Sequence, residues 1–199
     1  PLYILSGNIV FGIMRASTSG SLPCLVGQRD MLQKTKLPIS LFPTSNVFSS
    51  LVTFGFSFIA LLIVALFRIW AGKYVFHWEI FLTLVLLPAI TLFSLGLSYF
   101  LSALYVFFRY LKHIYTVVLT LWTYLTPLFY APEALNNPAL IAVLKFNPMY
   151  YYVTYFRDLL MGVIPTLGEH ILCYAFGIGA FAIGALFMLA VRNKIAAKL

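Results

Sequence analysis

Residues 45–67 read SNVFSSLVTFGFSFIALLIVALF, a run that contains no charged side chain. At a rise of about 1.5 Å per residue, a helix of this length covers the roughly 30 Å hydrocarbon core of a bilayer. Four further stretches, at about 2–26, 80–107, 113–130 and 171–191, are also predominantly apolar. The pattern predicts an all-α, polytopic membrane protein with five visible transmembrane helices.

The composition supports the same class. The chain has 199 residues, of which 62% are hydrophobic, 18% aromatic and 9% charged, whereas a soluble domain is about 45–50% apolar and about 25% charged. A soluble fold of this size has too little interior to hide so much apolar surface. The composition therefore excludes a soluble globular domain, a disordered chain and a disulfide scaffold.

The basic residues predict the orientation. The formal net charge is +8, but the charges lie between apolar runs, which is typical of membrane topology rather than of nucleic-acid binding. Eight of them fall on one side of the predicted membrane and four on the other: Arg29, Lys34, Lys36, Arg109, Lys112, Arg192, Lys194 and Lys198 against Arg68, Lys73, Lys145 and Arg157. The richer side, with the C-terminus, is predicted to be cytoplasmic.

A short helix is predicted in the cytoplasmic loop 27–43. Asp30 and Gln33 have the spacing of a capping box that starts a helix, and Pro38 disfavours helix at the residue before it. The predicted helix covers residues 30–37. It is either a solvated connector or a docking helix for a cytoplasmic partner.

The external segment 131–169 is too long for a turn and too apolar for a solvated loop. Asn147 followed by Pro148 is typical of a helix start, and Gly162 is typical of a helix end. We expect two short helices, at about 139–146 and 148–161, lying in or dipping into the outer leaflet. Neither is long enough to span a bilayer. The alternative is one poorly formed hairpin of spans.

The sequence shows no arrangement of residues typical of catalysis or of ion-coupled transport. The five acidic residues all fall in loops or at span ends, and His77, His113 and His170 have no partner at metal-binding spacing. We expect no catalytic residue, no metal site and no cofactor in this chain. Any energy for transport is then supplied by a partner.

Two features allow alternative interpretations. Aromatic side chains concentrate at Trp122, Tyr124, Phe129 and Tyr130 and in the run 150–156. They form either an interfacial aromatic belt or a surface along which a sugar moves. Small residues repeat at four-residue spacing in the last span, Ala175 with Gly179 and Ala180 with Gly184. They favour close helix packing, within the chain or between two copies.

Four stretches in order resemble one family, the membrane subunits of ABC-2-type exporters of lipid-linked polysaccharides. The stretches are QRDMLQKTKLP at 28–38, VFFRYLKH at 106–113, TPLFY at 126–130, and Asn147-Pro148 with Arg157, Gly162 and Pro165. The resemblance covers essentially the whole of residues 1–199 as one transmembrane domain. It implies six spans in a complete subunit, with an interfacial helix and a first span preceding the segment seen here.

The resemblance also implies partners. It implies a homodimer with two cytoplasmic ABC ATPase subunits, which bind the ATP and Mg, in the bacterial cytoplasmic membrane. The helix in loop 27–43 is then the coupling helix that meets the ATPase, and the helices of 131–169 are gate helices at the channel exit. The implied coupling residues are Asp30, Met31, Leu32, Gln33, Lys34, Leu37 and Pro38, and the implied gate residues are Asn147, Pro148, Tyr151, Tyr155, Arg157 and Gly162.

These features predict a non-enzymatic permease that exports a lipid-linked glycan such as a teichoic acid, O-antigen or capsular polymer. The candidates for lining its path are Arg15, Arg109, Trp122, Tyr124, Phe129 and Tyr130. The two arginines either bind a pyrophosphate head group or only set topology. Alternatives are an ABC-2 exporter of a drug or another lipid, and a membrane scaffold that transports nothing. Membrane lipid is an expected partner, and nucleic acid is not.

Overall fold

A computed structural model describes residues 2–34, 37–72, 75, 77–130 and 144–198. Within these ranges every regular element is a helix. The helices are α1 (Leu2–Ser21), α2 (Cys24–Gly27), α3 (Arg29–Lys34), α4 (Leu41–Trp70), a 3-10 helix (Trp78–Leu82), α5 (Thr83–Phe107), α6 (Leu111–Leu125), α7 (Pro148–Leu160) and α8 (Leu167–Lys198). The all-α, polytopic prediction is confirmed.

Three of the five predicted spans coincide with helices that are long and apolar enough to cross a membrane. These are Leu41–Trp70, Trp78–Phe107 and Leu167–Ile195. Each begins before the apolar run that predicted it, and the first and third also end after it. The crossings assigned to α1 and α6 stay predictions.

The first and fourth predicted spans have the wrong ends. The span at 2–26 is interrupted, because α1 ends at Ser21 and Pro23 starts a new helix, α2; proline cannot continue a helix without clashing with the preceding turn. The span at 113–130 is helical only to Leu125, since Pro127 follows. At about 22 Å, α6 is shorter than a bilayer core.

The helices run alternately between two ends of the molecule. One end carries α2, α3, the turn 108–110 before α6 and the C-terminal part of α8, and we call it the basic end. The other carries the 3-10 helix, the turns 126–130 and α7, and we call it the aromatic end. At the basic end, the Ser21 hydroxyl donates to the Pro43 carbonyl at 3.3 Å, joining α1 to α4. At the aromatic end, the Tyr174 hydroxyl donates to the Val85 carbonyl at 2.7 Å, joining α8 to α5.

The main core lies between α1, α4, α5 and α7. A second, smaller core of Leu25, Ala103, Val106, Met188 and Ile195 lies at the basic end. It fixes α2 against α5 and α8. Because α2 leads directly into α3, this small core determines where α3 sits.

Candidate functional site

Helix α3 projects from the basic end with almost all of its surface exposed. Among its residues only Leu32 is half-buried, where it packs on the small core at this end. The other five side chains of the helix are exposed, and Met31 is 50% exposed. On α3 an exposed apolar side chain therefore lies among the exposed charges of Arg29, Asp30 and Lys34.

The predicted capping box is wrong. Helix α3 begins at Arg29, so Asp30 lies inside its first turn rather than at its N-cap. The helix starts earlier because α2 ends at Gly27 and the backbone continues from it, with the Leu32 amide donating to the Gln28 carbonyl at 3.0 Å. Asp30 still stabilises the positive end of the helix dipole.

The predicted coupling residues are therefore exposed at the basic end, except Leu32. Asp30, Met31, Gln33 and Lys34 present exposed side chains on α3, while Leu32 anchors the helix. Leu37 and Pro38 are exposed in the connection that leads to α4. Residues 35 and 36 lie outside the described residues.

An apolar groove of about 820 Å³ opens beside α6 at the aromatic end. Trp122, Tyr124 and Tyr130 line it from one side, and Phe146 and Pro148 from the other. Three of the four aromatic path candidates are thus brought together. Phe129 is 55% exposed but does not line this groove.

The two arginine candidates lie elsewhere. Arg109 is exposed in the turn before α6, thirteen residues from Trp122, which corresponds to about 20 Å along a helix. Arg15 is exposed on α1 one turn before Thr18, which accepts a 2.6 Å hydrogen bond from the Tyr115 hydroxyl of α6. The candidates therefore form two groups, aromatic at one end and basic toward the other.

Arg157 joins three segments at the aromatic end. Its guanidinium donates to the carbonyls of Pro127 at 2.6 Å, Leu128 at 3.0 Å and Tyr3 at 3.2 Å. It also lies over the Tyr3 ring at 3.6 Å from the centroid. The side chain is only 5% exposed. Helix α7 is thereby attached to the first turn of α1 and to the turns that follow α6.

Asn147 provides a second attachment, and the predicted helix start is confirmed. Its side-chain oxygen accepts from the Met149 amide at 3.0 Å, which caps α7. The same oxygen accepts from the indole N–H of Trp122 at 2.8 Å. Its amide group donates to the Thr126 hydroxyl at 2.9 Å. One side chain thus fixes the end of α6 to the start of α7.

Helix α7 is packed inside the protein rather than lying on its surface. Tyr152, Tyr155 and Phe156 are fully buried, so these three form neither an interfacial belt nor a sliding surface. Of this run, Tyr151 is half-buried, and its ring stacks on Phe176 at 5.7 Å. The buried side chains of α7 pack against α1, α5 and α8, which surround this helix.

The predicted end of α7 is confirmed. The helix stops at Leu160, and Gly162 adopts a positive φ of 76°, which glycine accepts without strain. A side chain there would also overlap the ring of His77. Most of the other predicted external helix, 139–146, lies outside the described residues.

Tyr155 and His170 form a contact that the sequence pattern did not indicate. The Tyr155 hydroxyl lies 2.8 Å from Nδ1 of His170, and the two rings meet edge to face at 4.9 Å. Burial raises the pKa of Tyr155 to about 12, because desolvation disfavours its charged form. At neutral pH the contact therefore involves a protonated tyrosine.

Sequence reasoning also missed Tyr3, Gly7 and Thr18. A Cβ at Gly7 would lie 2.7 Å from the guanidinium of Arg157, so a larger residue there would displace that side chain from its present position. The only available signal was that polar and small residues repeat along α1, an unusual feature for a helix surrounded by lipid.

Taken together, the helices and the two end surfaces define a polytopic membrane domain with a short exposed helix, α3, at one end and a buried helix, α7, at the other. The model of the ABC-2 type transporter family matches residues 3–161. The chain belongs to this family, and the resemblance found from its motifs is confirmed.

Three relatives carry the name "O-antigen export system permease protein RfbA". The relative from Myxococcus xanthus is 29% identical over 163 residues, which cover 79% of this chain and 59% of the relative. Two from Klebsiella pneumoniae are 23% and 25% identical, covering 98% and 80% of this chain and 72% and 60% of the relatives. The chain thus spans about three fifths of the Myxococcus relative's length.

Proposed function

We propose that this chain is the permease of an ATP-driven exporter that moves a lipid-linked polysaccharide outward across the bacterial cytoplasmic membrane. The observation that carries the proposal is family membership over most of the chain, together with three relatives named for O-antigen export. An O-antigen-type polymer is the favoured cargo. A teichoic acid or a capsular polymer has the same chemical class.

The energy of ATP hydrolysis reaches the permease through α3. We infer that this helix docks on a cytoplasmic ABC ATPase that binds the ATP and Mg, one ATPase for each of two permease copies. Its exposed Met31 offers an apolar anchor, while Arg29 and Lys34 offer charge for orientation. Leu32, held by the small core at the basic end, transmits any displacement of α3 to α5 and α8.

The displacement reaches the aromatic end through α1. This helix is connected to α3 through α2 at one end, and at the other its first turn is held by Arg157 of α7. A 20-residue helix transmits a push or a tilt over about 30 Å without changing its own hydrogen bonds. Movement of α3 is thereby converted into movement of α7.

The groove beside α6 provides the surface for the glycan. Aromatic rings pack on the apolar faces of sugar rings, and the hydroxyl of Tyr124, which also lines the groove, offers a polar contact. The Tyr130 hydroxyl already donates to the Tyr124 carbonyl at 3.1 Å, which fixes the rim of the groove. Toward the basic end, Arg15 and Arg109 are the candidates for meeting the pyrophosphate of the lipid carrier.

The test uses the protein together with its ATPase, purified and reconstituted. ATP hydrolysis is measured with and without a lipid-linked glycan, in the parent protein and in two variants. Met31→Asp places a charge on the docking surface, and we expect it to abolish co-purification of the ATPase. Leu167→Asp is the control, because Leu167 is 81% exposed at the opposite end of the molecule.

Stimulation of hydrolysis by the glycan but not by a hydrophobic dye supports the proposal. Stimulation by the dye alone indicates a drug exporter instead. A protein that purifies without an ATPase under all conditions indicates a membrane scaffold. Loss of the ATPase in Leu167→Asp as well as in Met31→Asp contradicts the assignment of docking to α3.

A further inference from the structure

A pocket of about 280 Å³ lies at the basic end between α5, α8 and the connection that leads into α4. It is separate from the groove beside α6. Its walls are mainly apolar, and they include Ile39, Ala185 and Met188. Three polar side chains, Ser40, Tyr99 and Arg192, also line it. The pocket therefore combines an apolar interior with one permanent positive charge.

The order of residues along α8 places the apolar part and the charged part of the pocket at different depths. Ala185, Met188, Leu189 and Arg192 have the spacing i, i+3, i+4 and i+7, so they share one face of the helix. Arg192 lies about 10 Å further along the axis than Ala185. The charge is thus at the outermost part of the pocket, and the apolar wall continues toward the middle of the predicted membrane.

The opposite wall is held in a fixed position. The hydroxyl of Tyr99 lies 2.7 Å from the hydroxyl of Thr44, which also donates to the Ser40 carbonyl at 2.7 Å. These contacts join α5 to the first turn of α4. The pocket does not have to form when a ligand arrives, which lowers the cost of binding.

The charge of the surroundings favours an anionic ligand. Arg29, Lys34, Arg109, Lys112, Lys194 and Lys198 belong to the same end, and Asp30 is the one acidic residue there among the described part of the chain. Basic pockets between transmembrane helices on the cytoplasmic side bind phosphate-bearing lipid head groups. A guanidinium binds phosphate oxygens through two parallel hydrogen bonds.

We propose that this pocket binds an anionic phospholipid of the surrounding bilayer, with its phosphate on Arg192 and its glycerol and upper acyl carbons against Ala185 and Met188. A soluble phosphate compound does not need the apolar wall, and a hydrocarbon alone does not need Arg192. The bound lipid joins α4, α5 and α8 at the level of the small core that positions α3. The inference goes beyond the export function and holds for any cargo.

The experiment measures lipid retention by native mass spectrometry of the protein in nanodiscs, without ATP or glycan. The nanodiscs contain phosphatidylglycerol and phosphatidylcholine with identical acyl chains. Arg192→Gln removes the charge from the pocket. Lys194→Gln is the matched control, because it removes the same charge from the same helix end but does not line the pocket. Ala185→Phe fills the pocket without changing any charge.

We expect the parent protein and Lys194→Gln to retain phosphatidylglycerol in preference to phosphatidylcholine. Arg192→Gln should lower that retention about fivefold, the effect of one basic residue at a membrane surface. Ala185→Phe should lower it by at least as much. Both variants should elute at the parent position in size-exclusion chromatography.

Three results overturn the proposal. Equal losses in Arg192→Gln and Lys194→Gln show that only the overall positive charge attracts lipid. Unchanged retention in Ala185→Phe shows that the lipid lies outside the pocket. Displacement of the lipid by glycerol 3-phosphate at equal concentration shows that a soluble phosphate, rather than a phospholipid, is the ligand.

Discussion

At the scale of single residues, Arg157 shows how main-chain carbonyls hold a buried positive charge in place. Its guanidinium is bonded to main-chain carbonyls from two other segments of the chain. The planar group carries five N–H donors in a fixed arrangement, so one side chain serves several carbonyls at once. A lysine has a similar charge but a compact ammonium group, and it cannot reach the same three acceptors together.

The substitution Arg157→Lys is therefore expected to destabilise the protein by about 2 kcal/mol or more, because carbonyls that lose a charged donor remain buried. For a chain of this size such a loss corresponds to a fall in Tm of about 4–8 °C. Thermal unfolding in detergent measures it. Arg68→Lys, at the exposed end of α4, is the control and should lie within about 1 °C of the parent. Equal Tm values for both variants would contradict the role given to Arg157.

At the scale of helices, α5 and α8 pack closely enough for their backbones to meet. The backbone of Gly184 approaches that of Gly96, and Gly96 in turn lies against Ala180. The small residues Ala180 and Gly184 thus act within the chain, which decides one of the two alternatives left by their spacing. Gly179, in the other predicted pair, lies on an open surface.

Gly184→Ala and Gly179→Ala make a matched pair of substitutions on the same helix. A Cβ at Gly184 would overlap the backbone of Gly96, whereas a Cβ at Gly179 has nothing within 4 Å. We expect Gly184→Ala to cost about 1–3 kcal/mol through forced separation of the helices. Gly179→Ala should be neutral or stabilising, since alanine is the better helix former. Chemical denaturation of the two variants measures the difference in stability. Equal denaturation midpoints would contradict the close packing of α5 and α8.

The sequence predicted the positions of the helices better than the contacts between them. Apolar run length located α4, α5 and α8, and Asn147 with Pro148 located the start of α7 correctly. The burial of Tyr152 and Tyr155 could not be predicted, because a tyrosine in an apolar run suits an interface or a core equally well. The attachment of Arg157 to Tyr3 joins residues 154 positions apart, and no local pattern carries information over that distance.

The two groups of candidate site residues also differ in how well the sequence predicted their positions. Trp122, Tyr124 and Tyr130 are close in sequence, so helical spacing and one turn sufficed to bring them to a single groove. Arg15 and Arg109 were predicted from their position near the cytoplasmic end and from the affinity of guanidinium for phosphate oxygens. Their distance from the aromatic groove depends on how α1 and α6 run between the two ends, which follows from packing rather than from spacing.

At the scale of the whole molecule, the basic end predicts orientation. Counting charges assigned Arg157 to the external side as a topology signal, but its burial shows that it is a structural residue. Removing it from the count makes the asymmetry larger. The positive-inside rule then predicts that α3 and the C-terminus lie in the cytoplasm and that the aromatic groove lies outside.

Single cysteines test this orientation in a background with Cys24→Ser and Cys173→Ala. Phe146→Cys marks the aromatic end, where the side chain is 87% exposed, and Lys194→Cys marks the basic end. A membrane-impermeant maleimide applied to intact cells should label Phe146→Cys only, and permeabilised cells should label both. Labelling of Lys194→Cys in intact cells would reverse the proposed orientation, and with it the assignment of α3 to the cytoplasm.

The connection from α3 through α1 to α7 makes a further prediction about the molecule as a unit. Tyr3 holds the outer end of that connection, since its ring lies under Arg157 and its hydroxyl donates to the Tyr130 carbonyl at 3.0 Å. Tyr3→Leu removes both contacts and leaves the surface of α3 unchanged. With the ATPase bound, we expect nucleotide to alter the maleimide reaction rate of Phe146→Cys in the parent protein and to alter it several-fold less in Tyr3→Leu.

The control for that experiment is Tyr174→Leu, which breaks the bond from α8 to Val85 at the same end but does not touch α1. ATP hydrolysis should continue in both variants, because neither changes the surface of α3, the proposed docking helix. A nucleotide response that persists in Tyr3→Leu, or that disappears equally in Tyr174→Leu, would show that α1 is not the connection. A response lost only in Tyr3→Leu would show that the two ends communicate through one rigid helix, since an interaction of a single ring then governs a change about 30 Å from the docking surface.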